Sequence, residues 1–171
     1  FSKIQYDNDR IRDIYMMVLK TLTLLLYPIL AIFYFYGYEI VVFFLGNNWS
    51  NSESLIKLFS IYLLFIVYGN PIGTILLAKG KANWAFYSNI FVFFLNPISI
   101  VIFIHFYGLN GSVIGFIFVM VLIMYPYWRF LISKLMNISF VDYYRNFFLQ
   151  ILTSFTSFGA AYYISMWFVK S

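Results

Sequence analysis

Long apolar blocks dominate this chain of 171 residues and leave few choices for its fold. They lie at about 14–36, 55–78, 84–106, 111–130 and 143–169. A helix of about twenty apolar residues matches the roughly 30 Å hydrocarbon thickness of a bilayer. The sequence therefore predicts an all-α protein, a polytopic bundle of about five transmembrane helices that forms one membrane-embedded domain over 1–171.

The composition argues against a soluble enzyme. The chain is 63% hydrophobic and 10% charged, whereas about a quarter of the residues of a soluble domain are charged. It has no cysteine, and it shows no metal-ligand spacing, phosphate-binding loop or nucleophile with a neighbouring base. We therefore predict no catalytic residues, no metal and no cofactor.

Shorter signals predict where the helices begin and end. The segment 39–45 is apolar but too short to cross a bilayer, which predicts a short helix at the membrane interface. Ser50 with Glu53, and Ser139 with Asp142, have the spacing of a capping box. Each pair predicts the start of a membrane-spanning helix.

Glycines mark a tight turn and a close helix contact. Lys79-Gly80-Lys81 separates the second block from the third and predicts a tight polar turn. Gly108, Gly111 and Gly115 lie near one end of the fourth block. Small residues at this spacing favour the close approach of a neighbouring helix backbone.

The basic residues alternate between the two ends of the blocks. One end receives Lys3, Arg10, Arg12, Lys79, Lys81, Arg129, Lys134 and Arg145. The other end receives Glu39, Glu53 and the uncharged loop 107–110, with Lys57 and Lys170 as exceptions. Because Lys and Arg concentrate on the cytoplasmic side of membrane proteins, this pattern predicts a cytoplasmic start and a periplasmic or extracellular end. Basic residues placed in this way predict topology rather than nucleic-acid binding.

Four polar residues within the blocks are candidates for lining a substrate cavity. Asn70 and Asn96 lie inside the second and third blocks, and Lys20 and Lys57 lie one to two turns inside a block end. A polar group at membrane depth needs a partner or a water-filled cavity. Two other interpretations stay open, because asparagines also hydrogen-bond between helices and lysines also extend to the headgroups.

Prolines within the blocks predict bends. Pro71 and Pro97 each follow an asparagine, and Pro28 lies inside the first block. A proline inside a helix leaves the carbonyl four residues earlier without its hydrogen bond. We therefore predict Pro28, Pro71 and Pro97 as hinges, although prolines are common in membrane helices of every function.

Motifs spread over about 1–142 resemble those of bacterial polysaccharide flippases of the O-antigen and colanic acid exporter type. These flippases are part of the multidrug, oligosaccharidyl-lipid and polysaccharide exporter superfamily. The motifs are FSK at 1–3, DRIRDIY at 9–15, LGNNW at 45–49, LLAKGK at 76–81 and YGLNGS at 107–112, with a proline at 28. The resemblance implies that the five blocks are helices nine to thirteen of a transporter built from two lobes of six helices.

The same resemblance implies a function, a location and partners. It implies a flippase that exports lipid-linked polysaccharide or O-antigen repeat units across the bacterial inner (plasma) membrane by alternating access. The implied partners are an oligosaccharide on polyprenyl pyrophosphate, membrane lipids and an N-terminal lobe of the same protein. One alternative is a related multidrug or cation antiporter, which favours an intramembrane carboxylate. Another is a membrane-embedded glycan polymerase or acyltransferase, which favours ionisable residues in a large outer loop.

Overall fold

The computed structural model describes residues 8–170, with the side chains of 9–168. The FSK motif at 1–3, Lys3 with it, and the side chain of Lys170 lie outside this description. The helices are α1 Asn8–Phe35, α2 Gly37–Leu45, α3 Glu53–Gly69, α4 Pro71–Ala78, α5 Ala82–Tyr107, α6 Leu109–Tyr127, α7 Ser133–Met136 and α8 Phe140–Lys170. A 3-10 turn, Asn47–Ser52, leads into α3, and a π-helical segment, Trp128–Ile132, joins α6 to α7.

Within residues 8–170, five helical stretches are long and apolar enough to cross a membrane. They are Asp9–Phe35, Asn47–Ala78, Ala82–Tyr107, Leu109–Met136 and Phe140–Phe168. Each contains most or all of one predicted block. The second begins earlier than predicted because the 3-10 turn continues into α3, and the fourth runs past 130 because the π-helical segment and α7 prolong it. The predicted all-α transmembrane bundle is confirmed, and the protein is a multi-pass membrane protein.

Helix α3 lies in the middle of the row of packed helices. It packs against α1 and α6, α1 also packs against α8, and α6 packs against α5. The buried aromatic and aliphatic side chains concentrate at the end of the bundle that carries the turn at 79–81 and the loop at 137–139. They include Ile11, Tyr15, Leu19, Tyr68, Ile72, Ile75, Ile132, Tyr143 and Phe147. The helices are therefore best packed at this end.

The turn between α4 and α5 forms as predicted. Gly80 has a φ of +67°, which only glycine adopts at little cost. The Gly80 amide donates to the Leu77 carbonyl at 3.0 Å, and the Lys81 amide donates to the Leu76 carbonyl at 2.8 Å. This pair of bonds is a Schellman motif, which satisfies carbonyls at the end of α4 that lack helical partners.

At one of the two predicted capping boxes the serine hydroxyl caps the helix start, and the prediction for the other pair is wrong. The Asp142 amide donates to Ser139 Oγ at 3.1 Å, and the Ser139 hydroxyl donates to the Asp142 carboxylate at 2.7 Å. Ser50 instead lies within the 3-10 turn, and the residue that caps α3 makes no side-chain cap bond. The Glu53 carboxylate pairs with Lys57, one helical turn further on. An ion pair within α3 thus takes the carboxylate that a capping box needs.

We expect Ser139→Ala to lower the free energy of unfolding by about 1 kcal/mol, because the amide at the start of α8 loses its acceptor. Thermal unfolding in detergent measures this loss. Ser50→Ala is the matched control, since the Ser50 hydroxyl caps no helix. Equal losses for the two variants would contradict the assignment of the cap to Ser139.

The predicted glycine contact joins α5 and α6 at the end of the bundle opposite the turn at 79–81. A Cβ at position 111 would lie 2.0 Å from the Phe103 carbonyl oxygen, and a Cβ at 115 would lie 3.0 Å from the Ile100 amide nitrogen. The Ser99 hydroxyl donates to the Gly115 carbonyl at 3.0 Å. Within the described chain Ser99 is the one buried residue of α5. Helix α5 is therefore held mainly by this contact.

Candidate functional site

A cavity of about 400 Å³ lies between α3, α4, α5, α6 and α8. It occupies the half of the bundle nearer the turn at 79–81. Its lining residues are Tyr62, Phe65, Ile66, Tyr68, Gly69, Asn70, Gly73, Ser88, Asn89, Val92, Asn96, Met120, Ile123, Met124, Tyr127, Tyr143, Tyr144 and Phe147. The cavity is thus framed by rings and aliphatic side chains, with polar groups on two sides.

Asparagine amides supply the main polar groups of this cavity. Asn70 stands between α3 and α4, and Asn89 and Asn96 both lie on α5. Asn89 and Asn96 are seven residues apart, which is two helical turns, so they share one face of α5. The Asn96 Oδ1 is buried and has no hydrogen-bond partner among the described residues. It is closed to water in this conformation, so a ligand or a water molecule reaches this acceptor only when the side chain or its surroundings move.

Several tyrosine hydroxyls around the cavity already have partners. The Tyr68 hydroxyl donates to the Tyr143 carbonyl, and the Tyr144 hydroxyl donates to the Met124 carbonyl at 2.9 Å. These bonds tie α8 to α3 and to α6. The rings of Tyr68 and Tyr144 then present mainly apolar surface to the cavity, whose other polar groups are the amides and the hydroxyls of residues such as Tyr62 and Tyr127.

The cavity lining carries no charge. Of its described residues, none is a lysine, arginine, histidine, aspartate or glutamate. Within residues 8–170, no three His, Cys, Asp or Glu side chains lie together as a metal site requires. The arrangement therefore suits an uncharged ligand with hydroxyl or amide groups.

The structure brings together two of the four predicted cavity residues. Asn70 and Asn96 both line the cavity. Lys20 is exposed on α1, and the Gln150 amide donates to its backbone carbonyl at 3.5 Å. Lys57 is ion-paired with Glu53 on α3. Neither lysine lines this cavity.

The three predicted hinge prolines have different positions. Pro71 is the first residue of α4, directly after Asn70, and Pro97 lies inside α5, directly after Asn96. Pro28 lies inside the continuous helix α1, which does not line the cavity. Both Asn-Pro pairs thus border the cavity, and bending at either proline would change its shape.

Sequence reasoning did not assign Asn89 or the tyrosines to the cavity. The seven-residue spacing of Asn89 and Asn96 is a signal that could have placed both amides on one face of a helix. Tyr68, Tyr143 and Tyr144 carry no such signal, because tyrosine is also common near the membrane surface. Their place in the cavity follows only from how α3, α6 and α8 meet.

Comparison with known proteins gives three relatives of interest. Lipopolysaccharide biosynthesis protein WzxC of Escherichia coli is 25% identical over 162 residues, which are 95% of this chain and 33% of that protein. Teichuronic acid biosynthesis protein TuaB of Bacillus subtilis is 31% identical over 87 residues, 51% of this chain and 18% of that protein. An uncharacterised membrane protein in the cps region of Klebsiella pneumoniae is 27% identical over 149 residues, 86% of this chain and 30% of that protein.

The N-terminal part of the chain also matches a protein family. Residues 1–54 match the model of a family described as polysaccharide biosynthesis protein. The chain spans about a third or less of the length of the curated relatives it matches. No solved structure matches it significantly. The resemblance found in the motifs is confirmed, and the chain is related to the membrane proteins of polysaccharide biosynthesis.

Proposed function

We propose that this chain is part of a flippase that moves lipid-linked oligosaccharides across a bacterial inner membrane by alternating access. The observation that carries the proposal is the uncharged cavity, in which Asn70, Asn89 and Asn96 face a ligand space of about 400 Å³. The relationship to polysaccharide-biosynthesis membrane proteins supports it. The chain supplies one part of the transporter, and the remaining helices complete the path.

The chemistry of the cavity suits the glycan part of such a substrate. A sugar hydroxyl donates a hydrogen bond to Asn96 Oδ1 once the cavity wall moves and exposes this acceptor, which is buried and has no partner among the described residues. The amide groups of Asn70 and Asn89 both donate and accept, so they bind hydroxyls without ionising. The polyprenyl tail stays in the lipid, and the pyrophosphate is held outside this uncharged part of the path.

Alternating access requires a change in the shape of the cavity. Pro71 and Pro97 follow Asn70 and Asn96 directly, so each pivot adjoins a residue that binds the substrate. A proline pivot bends at low cost because one helical hydrogen bond is already absent. Movement at these prolines opens the cavity to one side of the membrane and then to the other. Pro28 acts as a third pivot in α1.

The proposed orientation places the turn at 79–81 in the cytoplasm. Lys79, Lys81, Arg129, Lys134 and Arg145 all lie toward this end of the helices, as expected for the cytoplasmic side. The amide-lined cavity then lies in the cytoplasmic half of the bundle, where a newly assembled repeat unit enters. Single cysteines placed at the exposed residues Ala82, beside the turn, and Asn48 test the orientation, because an impermeant thiol reagent added outside intact cells should label only the second.

Replacing the cavity amides tests the proposed function in the complete protein that carries this chain. We expect Asn96→Leu to lower export of surface polysaccharide about tenfold, because one hydrogen bond of roughly 1.4 kcal/mol to the moving glycan is lost. Lipid-linked repeat units should accumulate in the cytoplasmic leaflet. Both quantities are measured in cells that lack the chromosomal copy.

A matched control separates the lost hydrogen bond from a general effect of leucine. Asn83→Leu makes the same change on the same helix, at an exposed position outside the cavity. It should export normally. Wild-type export by the double variant Asn70→Leu/Asn96→Leu, at normal protein levels, would refute the assigned cavity.

The alternative functions have less support in the described residues. A multidrug or cation antiporter favours a carboxylate within the membrane, and the described lining of the cavity has none. A glycan polymerase or acyltransferase favours ionisable residues in a large outer loop, whereas α5 and α6 are joined at Gly108 alone. Unchanged surface polysaccharide together with altered drug resistance on deletion of the protein would favour the antiporter.

A further inference from the structure

A second concave feature, the α5–α6 groove, faces away from the cavity toward the lipid. It has a volume of about 510 Å³. Its lining residues are Trp84, Tyr87, Ser88, Phe91, Val92, Ile123, Pro126, Tyr127, Phe130, Leu131 and Lys134. Apart from Lys134 the lining is uncharged and mostly aromatic or aliphatic, so its occupant is mainly apolar.

The groove exists because α5 and α6 meet closely at one end only. At the end near Gly111 and Gly115 the two backbones touch, and a Cβ would not fit at position 111. Toward the other end, Pro126 interrupts the helical bonding and the π-helical segment Trp128–Ile132 follows. A proline and a π-helical turn both redirect a helix. The helices diverge here and leave the groove between them.

The groove has the length of one leaflet of the bilayer. From Ile123 to Lys134 a helical chain advances about 16 Å at 1.5 Å per residue. The hydrocarbon layer is roughly 30 Å thick, so one leaflet is about half of that. The groove begins at the turn end, where Lys134 lies, and ends near the middle of the membrane. Its occupant therefore belongs to the leaflet on that side.

Positive charge gathers at the turn end of the groove. Lys134 lines the groove, and the Lys81 Nζ lies 4.1 Å from the centre of the Trp84 ring, which also lines it. Among the described residues, neither Lys81 nor Lys134 takes part in an ion pair. An anion at this end has two ammonium groups to pair with.

The neighbouring Lys79 shows that the positive charges at this turn act on one another. Burial and the charge of Lys81 both lower the pKa of Lys79 below its usual value. The Lys79 ammonium donates to the Leu135 carbonyl at 2.8 Å, which holds the turn against α7 beside Lys134. An anionic headgroup at this turn would relieve the repulsion.

The groove and the cavity share a wall. Ser88, Val92, Ile123 and Tyr127 line both. A chain lying in the groove therefore packs against the back of the residues that face the cavity. Such a chain supports the wall and separates the cavity from the fluid bilayer.

We propose that the α5–α6 groove binds one anionic phospholipid of the leaflet next to the turn at 79–81. An acyl chain lies along Trp84, Phe91 and Phe130, and the headgroup phosphate pairs with Lys81 and Lys134. The bound phospholipid is a structural partner of the wall and is not the transported substrate. The proposal does not depend on which molecule the cavity transports.

Quenching of Trp84 tests the proposal. The complete protein is reconstituted in phosphatidylcholine vesicles that contain either phosphatidylglycerol or phosphatidylcholine brominated on the acyl chains. The signal of Trp84 is the difference in fluorescence between the wild-type protein and its Trp84→Phe variant. We expect brominated phosphatidylglycerol to quench Trp84 at a mole fraction at least fivefold lower than brominated phosphatidylcholine, since each lysine near the surface contributes roughly that factor.

Charge variants identify the groups that bind the headgroup. Lys134→Gln should reduce the preference for phosphatidylglycerol about fivefold. Lys20→Gln, at an exposed lysine that does not line the groove, should leave it unchanged. Equal quenching by the two brominated lipids, or an unchanged preference in Lys134→Gln, would overturn the proposal.

Two further results separate phospholipid binding from transport. Displacement of phosphatidylglycerol by an equimolar amount of polyprenyl phosphate would assign the groove to the transported lipid and overturn the proposal. A preference for phosphatidylglycerol that is retained in Asn96→Leu would support it, because that variant alters the cavity and leaves the groove intact. A failure of the proposed transport function would not change either result.

Discussion

Replacing Gly111 with alanine should separate α5 from α6 and lower the free energy of unfolding by about 3 kcal/mol, the upper end of the cost of overpacking. The new Cβ would lie 2.0 Å from the Phe103 carbonyl oxygen and 2.4 Å from its carbonyl carbon. These are backbone atoms, so no side chain can rotate out of the way. The helices must move apart, and the Ser99 bond to the Gly115 carbonyl is lost with them. Thermal unfolding in detergent, with size-exclusion chromatography, measures the loss.

Two related variants add the same methyl group at other positions and serve as controls. Gly73→Ala places the same group in α4, where no atom of the surrounding structure beyond its own helix backbone and chain neighbours lies within 4 Å of the new Cβ. It should be neutral or slightly stabilising, because alanine favours a helix over glycine by about 1 kcal/mol. Gly115→Ala should cost less than Gly111→Ala, since its nearest backbone atom is 3.0 Å away. Wild-type stability in Gly111→Ala would contradict the close contact of α5 with α6.

The second large effect is expected from Tyr143→Ala, which should lower the free energy of unfolding by about 3–5 kcal/mol, as for other buried aromatic truncations. Tyr143 is 1% exposed, and its ring lies 4.9 Å from the Tyr68 ring, centre to centre. Its hydroxyl and that of Tyr15 are hydrogen-bonded at 3.0 Å. One side chain therefore joins α8 to α1 and α3. Thermal or denaturant unfolding measures the change.

Control variants separate the contribution of the Tyr143 ring to stability from that of its hydroxyl. Tyr143→Phe keeps the ring and leaves the buried Tyr15 hydroxyl without this partner, so we expect a loss of about 1–3 kcal/mol. Tyr163→Ala removes a tyrosine of the same helix that is 71% exposed, and it should have little effect. If Tyr163→Ala lowered the free energy of unfolding as much as Tyr143→Ala, the loss would come from replacing a tyrosine anywhere in α8. It would not come from the contacts of Tyr143 with α1 and α3.

Features that depend on a few neighbouring residues were predictable. The turn at Lys79-Gly80-Lys81 formed because glycine accepts a positive φ directly after a helix. The cap at Ser139 formed because the hydroxyl and the amide that it binds are only three residues apart. The contact at Gly111 could be predicted as a close approach, although its partner, the backbone of Phe103, could not.

Features that depend on competition between partners were harder to predict. Ser50 and Glu53 have the spacing of a capping box, but the chain forms a 3-10 turn there and Glu53 pairs with Lys57. Both arrangements are local, and their sequence patterns overlap. The choice depends on how the turn before α3 packs against α2, and spacing carries no information on that packing.

The candidate site was predictable in part. The two Asn-Pro pairs identified Asn70 and Asn96. A buried amide is costly in lipid, so it needs a hydrogen-bond partner or a polar cavity. Nothing in the order of residues showed that both amides reach the same cavity. Nor did it show that Lys20 and Lys57 lie away from that cavity.

The amino-acid sequence alone determined the number and approximate bounds of the membrane-spanning helices within the described chain, because crossing a bilayer depends on the hydropathy of each segment by itself. Only the tertiary structure decided which faces meet. The tyrosines of α3 and α8, the amides of α3–α4 and α5 and the groove beside α6 become sites through contacts between residues far apart in the chain. Such contacts arise from the packing of whole helices, whose apolar surfaces are nearly alike in composition and differ mainly in shape.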